Sequence, residues 1–218
     1  MDCSLANIDS IIFDMDGTLW NATDSYAKIW NVTCHDFGME AGFMGKDLVQ
    51  FMGMSIESII EHLLGRNMTV DKAVFLKRLM ENEDALMPQL GGVMFSGVKE
   101  SLEKLSVDFR LFMLSNCSAR GLKNFVNYTG TAHLFEGLLT QGERPVEKCE
   151  NLQYLASKFS LKNPTYVGDT QGDCNQCHAA GMPFTYAAWG FGHCDNAEWK
   201  FNTIEEMTMN FLNTKTLQ

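Results

Sequence analysis

The sequence predicts an α/β fold: a parallel sheet covered by helices on both faces, with an all-helical segment inserted after the first strand. Three observations predict it. A short apolar run, Ser10 to Asp14 (SIIFD), ends at the turn-forming Asp16-Gly17-Thr18. From Asn21 to Met87 the apolar residues follow helical spacing, with no convincing strand. Beyond Gly91-Gly92, strand-like runs alternate with helical patterns. Parallel strands need long crossovers, and helices of this length supply them.

Each element follows from local pattern. SIIFD carries β-branched Ile11 and Ile12 and is too short for a helix, so it is a buried strand. In the inserted segment the helical positions are Tyr26, Ile29, Trp30 and Thr33, then Ile56, Ile59, Ile60, Leu63 and Leu64, then Val74, Phe75, Leu79 and Leu86. Pro88 lacks a helical donor and Gly91-Gly92 favours a turn, so the segment is expected to end there. This divides the chain into a core, 1–20 with 88–218, and an insertion, 21–87. The core continues with a helix Gly97 to Leu105, a strand Arg110 to Leu114 (RLFML), and helices Ala119 to Tyr128 and Glu150 to Phe159. A strand Thr165 to Gly168 (TYVG), a helix after Gly172, a strand Phe184 to Ala188 and a helix Ile204 to Leu212 complete it. There is no internal repeat or low-complexity tract.

Composition sets the bounds. With 218 residues and 45% hydrophobic content, the chain can bury one substantial core, or a main core and a small accessory lobe. Its net charge of −10, from 17 basic and 27 acidic side chains, argues against nucleic acid or an anionic membrane surface as partner. A phosphate-bearing ligand must therefore be held by local groups. The start, MDCSLANIDS, lacks a basic stretch followed by an apolar run, and no apolar run approaches the roughly 18 residues of a membrane span, so the expected location is cytoplasmic.

In open parallel sheets ligands bind beyond the carboxyl ends of the strands. The residues there are Asp14 with Asp16, Ser115 with Asn116, and Asp169 with Asp173. Two carboxylates two residues apart can divide labour, one facing a bound substrate and the other reaching it from the side. Gly17 and Thr18 keep that loop small enough for an anionic ligand to approach. Asp169 on a neighbouring loop completes a hard oxygen site of the kind that suits Mg²⁺, which takes one or two protein carboxylates with water and substrate phosphate. Ser115 and the adjoining backbone N–H groups form a phosphate cradle. Lys148, just before the helix near Glu150, supplies a balancing cation.

Taken singly, each motif also has a structural reading. DxDGT can be a solvated turn, Ser115-Asn116 a helix N-cap, Lys148 a surface lysine, and Asp169 with Asp173 a cap and a first-turn acid. Their conjunction at strand ends weighs against that reading. Cys174, Cys177 and His178 spell CxxCH, the spacing of covalent haem attachment. That attachment is an exported-protein chemistry, and the N-terminus carries no export pattern. Zinc would need Cys194 or His193 as a further ligand. The seven cysteines, Cys3, Cys34, Cys117, Cys149, Cys174, Cys177 and Cys194, form no regular framework and are expected to be free thiols, with those of CxxCH bystanders to the carboxylates.

FDMDGTL (Phe13 to Leu19), LSN (Leu114 to Asn116), Lys148 and VGDTQGD (Val167 to Asp173) resemble, in order, the four motifs of the haloacid dehalogenase superfamily. The resemblance spans essentially the whole chain. The helical insertion is similar to the cap of the phosphoglycolate phosphatase-like branch, as are Gly181-Met182-Pro183 and the following strand. The set is specific for the superfamily and weakly specific for substrate.

The resemblance implies a Rossmann-like core with an α-helical cap, and it implies roles. Asp14 would be the nucleophile that forms an aspartyl-phosphate, and Asp16 the acid and base. The side chains of Asp14 and Asp169, with the backbone carbonyl of Asp16, would hold Mg²⁺, and Asp173 would bind the ion or orient its waters. Ser115, Asn116 and Lys148 would hold the phosphoryl group. Haloacid-processing members lack a carboxylate at the position of Asp16, so its presence favours phosphate chemistry. Three features depart from the pattern. Asn21 stands where related phosphatases often have Asp, Lys148 lies in the unusual context GERPVEK with Arg144 as a second candidate cation, and the apolar cap loop Phe51-Met52-Gly53-Met54-Ser55 names no substrate. The expected protein is a Mg²⁺-dependent phosphatase, a monomer or weak homodimer, acting on a small phosphorylated metabolite such as phosphoglycolate or a sugar phosphate. A sugar-phosphate mutase using the same intermediate and a non-catalytic regulatory or binding protein are the alternatives.

Overall fold

β1 (Ser10–Phe13) occupies the middle of a six-stranded sheet in the order β5-β4-β1-β6-β7-β8, every neighbouring pair parallel. The partners are β4 (Arg110–Ser115), β5 (Gly137–Thr140), β6 (Pro164–Gly168), β7 (Phe184–Ala187) and β8 (Trp199–Phe201). The computed structural model describes residues 4–65 and 70–216. Phe13 stands beside Met113 on one side and Val167 on the other, so β1, β4 and β6 end within two residues of one another. The chain builds outward from β1 through β4 to β5, then returns to the far side with β6. That reversal places a crevice beyond the carboxyl ends of the three central strands.

Alternation along β1 sorts side chains to the two faces. Ile11 and Phe13 join a cluster with Leu102, Leu105, Phe125 and Phe211, beneath α5 (Val98–Asp108), α6 (Gly121–Thr129) and α9 (Ile204–Thr216). Ile12 joins the opposite cluster with Phe112, Leu152, Leu155, Tyr166 and Phe184, beneath α7 (Lys148–Phe159) and α8 (Gln171–Ala179). Burial on both faces explains why these strands are continuously apolar.

Between β1 and α5 lie the inserted helices: α1 (Thr23–Asp36), α2 (Gly45–Leu48), α3 (Ile56–Leu63) and α4 (Lys72–Leu90). The chain leaves and returns through an antiparallel ribbon of β2 (Trp20–Asn21) and β3 (Val93–Met94). Trp30, Ile59, Ile60, Phe75 and Leu79 extend the apolar cluster into this segment. Pro88 does not end the last helix as expected. It lies inside α4, where the missing donor costs one hydrogen bond in the final turn, and the Gly91 N–H closes the helix on the Met87 carbonyl at 2.8 Å. The edge strands β5 and β8 and the β2–β3 ribbon were not predicted; each is short. No helix among the described residues is long and apolar enough to cross a membrane.

Candidate active site

Asp14 leaves the end of β1 with its N–H on the Val167 carbonyl at 2.8 Å, which fixes its carboxylate at the centre of the crevice. Three residues on, the chain must turn sharply. Gly17 adopts φ 80°, a left-handed conformation costly for other residues, and a Cβ there would collide with the Asp169 carboxylate. The same loop aims Asp16 toward α1, where its two oxygens accept from Trp20 Nε1 at 3.0 Å and Tyr26 Oη at 3.2 Å. Burial, reinforced by the neighbouring Asp14 charge, pushes Asp16 up to about 8. Burial and the Asp14 charge thus favour the protonated form of Asp16 against the opposing hydrogen bonds from Tyr26 and Trp20, beside a second carboxylate that burial raises to about 6 against the opposing pull of Lys148.

Lys148, the first residue of α7, is buried and reaches across to β1. Its Nζ donates to Asp173 Oδ1 at 2.6 Å, Tyr166 Oη at 3.0 Å and Asp14 Oδ1 at 3.2 Å. Burial alone would lower its pKa; Asp14 and Asp173 outweigh it and hold the ammonium above its usual range. Arg144, the other candidate cation, instead donates to Asn151 and lies over the Tyr154 ring. Tyr166 had no sequence signal beyond its place in TYVG, yet its hydroxyl donates toward Asp14 Oδ1 and the Leu114 carbonyl, both at 3.1 Å, linking all three central strands.

The Asp169–Asp173 loop opens α8. Thr170 caps the helix by accepting from the Asp173 N–H at 3.0 Å, and Asp173 Oδ2 accepts the Thr170 N–H at 3.2 Å, a reciprocal capping box that points Oδ1 at Lys148. Asp169 Oδ2 accepts the N–H groups of Phe191 at 2.8 Å and Gly192 at 3.1 Å, contacts from a loop the sequence did not single out. Asp169 Oδ1 is buried with no hydrogen-bond partner. Asp14, Asp169 and Asp173 each offer an oxygen within 4.8 Å of the others. Three clustered hard donors, one unsatisfied, fit a Mg²⁺-type cation.

A cavity of about 70 Å³ adjoins these groups, lined on the sheet side by Asp14, Asp16, Ser115, Asn116 and Lys148. Asn116 does not aim freely into it: its Nδ2 donates to the Gly53 carbonyl at 3.0 Å, tying β4 to the Phe51–Ser55 loop. Asn21 accepts from the Thr23 N–H at 3.0 Å and hydroxyl at 2.7 Å, so it shapes the entry to α1. Cys174 and Cys177 face inward on α8 in the second apolar cluster, Cys177 donating to the Met182 and Pro183 carbonyls at 3.3 Å. His178 pairs with Glu198 at 3.0 Å. The six described cysteines are free; Cys3 lies outside the described residues.

This arrangement of three neighbouring strand ends and their acids can be compared with known proteins. The family model described as haloacid dehalogenase-like hydrolase matches residues 11–187. The chain belongs to that family. Among curated relatives, the phosphoglycolate phosphatase of Pasteurella multocida (strain Pm70) is 27% identical, with 83% of this chain and 86% of the relative aligned. That of Colwellia psychrerythraea (strain 34H / ATCC BAA-681) is 24% identical over 90% and 94%. Both bear out the resemblance to the phosphoglycolate phosphatase-like branch. A haloacid dehalogenase-like family hydrolase from Streptococcus pneumoniae superposes with a TM-score of 0.82 at 19% identity, over 94% of this chain and 98% of that one. At that identity the likeness shows the fold: a haloacid dehalogenase-like core with helices inserted after its first strand.

Proposed function

We propose that the protein is a Mg²⁺-dependent phosphatase that hydrolyses a small phosphomonoester through an aspartyl-phosphate on Asp14. The observation that carries this reading is the placement of Asp14, fixed beside Asp169 and Asp173, and Asp16 on one cavity wall, where burial and the Asp14 charge push Asp16 up to about 8. One group is placed to attack phosphorus and the other to give up a proton. The relatives named phosphoglycolate phosphatase support the same class of reaction.

Asp14 attacks phosphorus as the ester P–O bond breaks, and the departing alkoxide takes the Asp16 proton. Water then attacks the phosphorus of the acyl phosphate, Asp16 accepts a proton from it, and the bond to Asp14 breaks to release phosphate. Lys148, anchored by Asp173 and Tyr166, keeps a positive charge beside Asp14, and Ser115 with nearby backbone N–H groups orients the phosphoryl oxygens. Asp14, Asp169 and Asp173, with the backbone carbonyl of Asp16, would hold Mg²⁺, which when bound offsets charge on the transferring phosphoryl group. The helices from Asn21 to Leu90 act in this reading as a cap, three residues longer than the sequence pattern suggested because α4 passes through Pro88.

The test is phosphate release from a panel of small phosphomonoesters, with Mg²⁺ and with chelator, for wild type and Asp14→Asn. Mg²⁺-dependent release that disappears in the variant is expected. Isomerised product without free phosphate would indicate a mutase, and no turnover of any compound a non-catalytic role.

A further inference from the structure

The inserted helices place one carboxylate in the cavity that the proposed reaction does not use. The buried residues of α4 are Phe75, Leu79, Glu83 and Met87, spaced by four, so Glu83 occupies an apolar position of the stripe that faces inward. It is 6% exposed and lines the cavity. Its Oε1 accepts from Ser118 Oγ at 2.9 Å. Among the described residues no donor pairs with Oε2, and no cation pairs with the carboxylate. Among the described residues Lys148 is the one cation on the cavity wall, and it is engaged by Asp14 and Asp173. Apart from Tyr26, whose hydroxyl donates to Asp16, the wall on this side is mainly apolar, with Trp30, Leu48, Met54, Ile56, Ile59 and Leu79.

A buried acid without a counter-charge is costly unless something brings a partner to it. The substrate is the component that enters this space. An alcohol bearing a carboxylate would face the Glu83 charge with no free cation among the described wall residues and would be repelled, whereas a hydrogen-bond donor would satisfy the unpaired oxygen. We propose that Glu83 is the specificity-determining residue of the cavity, its Oε2 accepting a hydrogen bond from a hydroxyl or ammonium group on the alcohol half of the phosphomonoester and disfavouring alcohols that carry a carboxylate. The inference rests on the phosphatase reading and adds the class of leaving alcohol. Burial pushes Glu83 up to about 7, so an incoming donor also relieves the cost of its charge.

Three two-carbon esters that differ at one terminus test it: phosphoglycolate, 2-hydroxyethyl phosphate and 2-aminoethyl phosphate. The full chain with Mg²⁺ at pH 8 is assayed for phosphate release. At least one donor-bearing ester is expected to exceed phosphoglycolate in kcat/KM by about 10-fold or more, which is the discrimination worth about 1.4 kcal/mol. The hydroxyl and amine arms identify which donor is preferred. Glu83→Gln should compress that ratio about 10-fold, because a shared effect on Asp16 cancels between esters while the lost contact to the alcohol does not; Glu83→Asp should keep its direction. Phosphoglycolate turned over as well as or better than both donors, or an unchanged ratio in Glu83→Gln, overturns the inference while leaving the phosphatase reading standing. Absence of release from every phosphomonoester tried overturns both. If Glu83→Gln fails to fold by circular dichroism, the wild-type order of the three esters decides.

Discussion

Replacing Lys148 with Met tests the electrostatic framework of the site. The side chain of Lys148 is 4% exposed, and those of its partners Asp14 and Asp173 are 3% and 2%. Methionine keeps the bulk and removes the charge, which leaves two carboxylates close together in a region of low polarisability. Breaking a buried ion pair by removing one partner costs about 3–5 kcal/mol, most of it the price of the charge left behind. For a chain of this size each kcal/mol lowers Tm by about 2–4 °C, so Lys148→Met should melt roughly 6–20 °C below wild type. The measurement is urea and thermal unfolding in chelator, repeated with Asp173→Asn added to Lys148→Met. Removing one of the two stranded charges should recover part of the loss, and saturating Mg²⁺ should recover more by binding the native state. A stability loss below about 1 kcal/mol would refute the reasoning, because it would mean that Asp14 and Asp173 are not held as a charged pair against Lys148.

Other expectations are simpler to state. Asp14→Asn should fold and lose on the order of 10³-fold or more in turnover, measured on protein free of contaminating phosphatase. Asp169→Ala should raise the Mg²⁺ concentration needed for half-maximal activity, and activity that survives exhaustive chelation would remove the metal from the reaction. Glu83 has an ordinary value of 4.5 and a folded value of about 7, so the native state binds its proton more tightly and stability falls as pH rises between these values, by about 3 kcal/mol in all. Glu83→Gln should remove that fall, and its Tm advantage over wild type in chelator should grow from pH 5 to pH 8; a difference independent of pH would show that Glu83 is not titrating in the fold. Cys174→Ala with Cys177→Ala should lower stability through lost packing while leaving Mg²⁺-dependent hydrolysis intact, and purified wild type should show no haem absorbance.

The sequence made the central strands and their acids legible because both faces of β1, β4 and β6 are buried, which forces short apolar runs, and because the candidate site residues follow those runs directly. The edges of the sheet were not legible for the opposite reason. β5 begins with Gly137 and is four residues long, and β8 is three residues with Lys200 at its centre, so neither gives a periodic signal. The partners of the acids were hidden for another reason: Tyr166, Phe191 and Gly192 act on Asp14 and Asp169 across the tertiary fold. Glu83 could have been found. Phe75, Leu79 and Met87 define a stripe, and an acid at its vacant position is the kind of local inconsistency that marks a site.

The division between what was legible and what was not follows the chemistry. Phosphoryl transfer asks for the same groups whatever alcohol departs, so its residues sit at strand ends where the sheet fixes them and where short motifs record them. Recognition of the alcohol falls to the inserted helices, and those touch the strand-end loops through individual hydrogen bonds: Tyr26 to Asp16, Asn116 to Gly53 and Ser118 to Glu83. Each contact joins a residue of the inserted segment to a loop that follows β1 or β4. The inserted segment that covers Asp16 with Tyr26 therefore also presents Glu83 to the cavity. A substitution at Glu83 on the α4 stripe can therefore alter the preferred alcohol while the carboxylates at the strand ends stay in place.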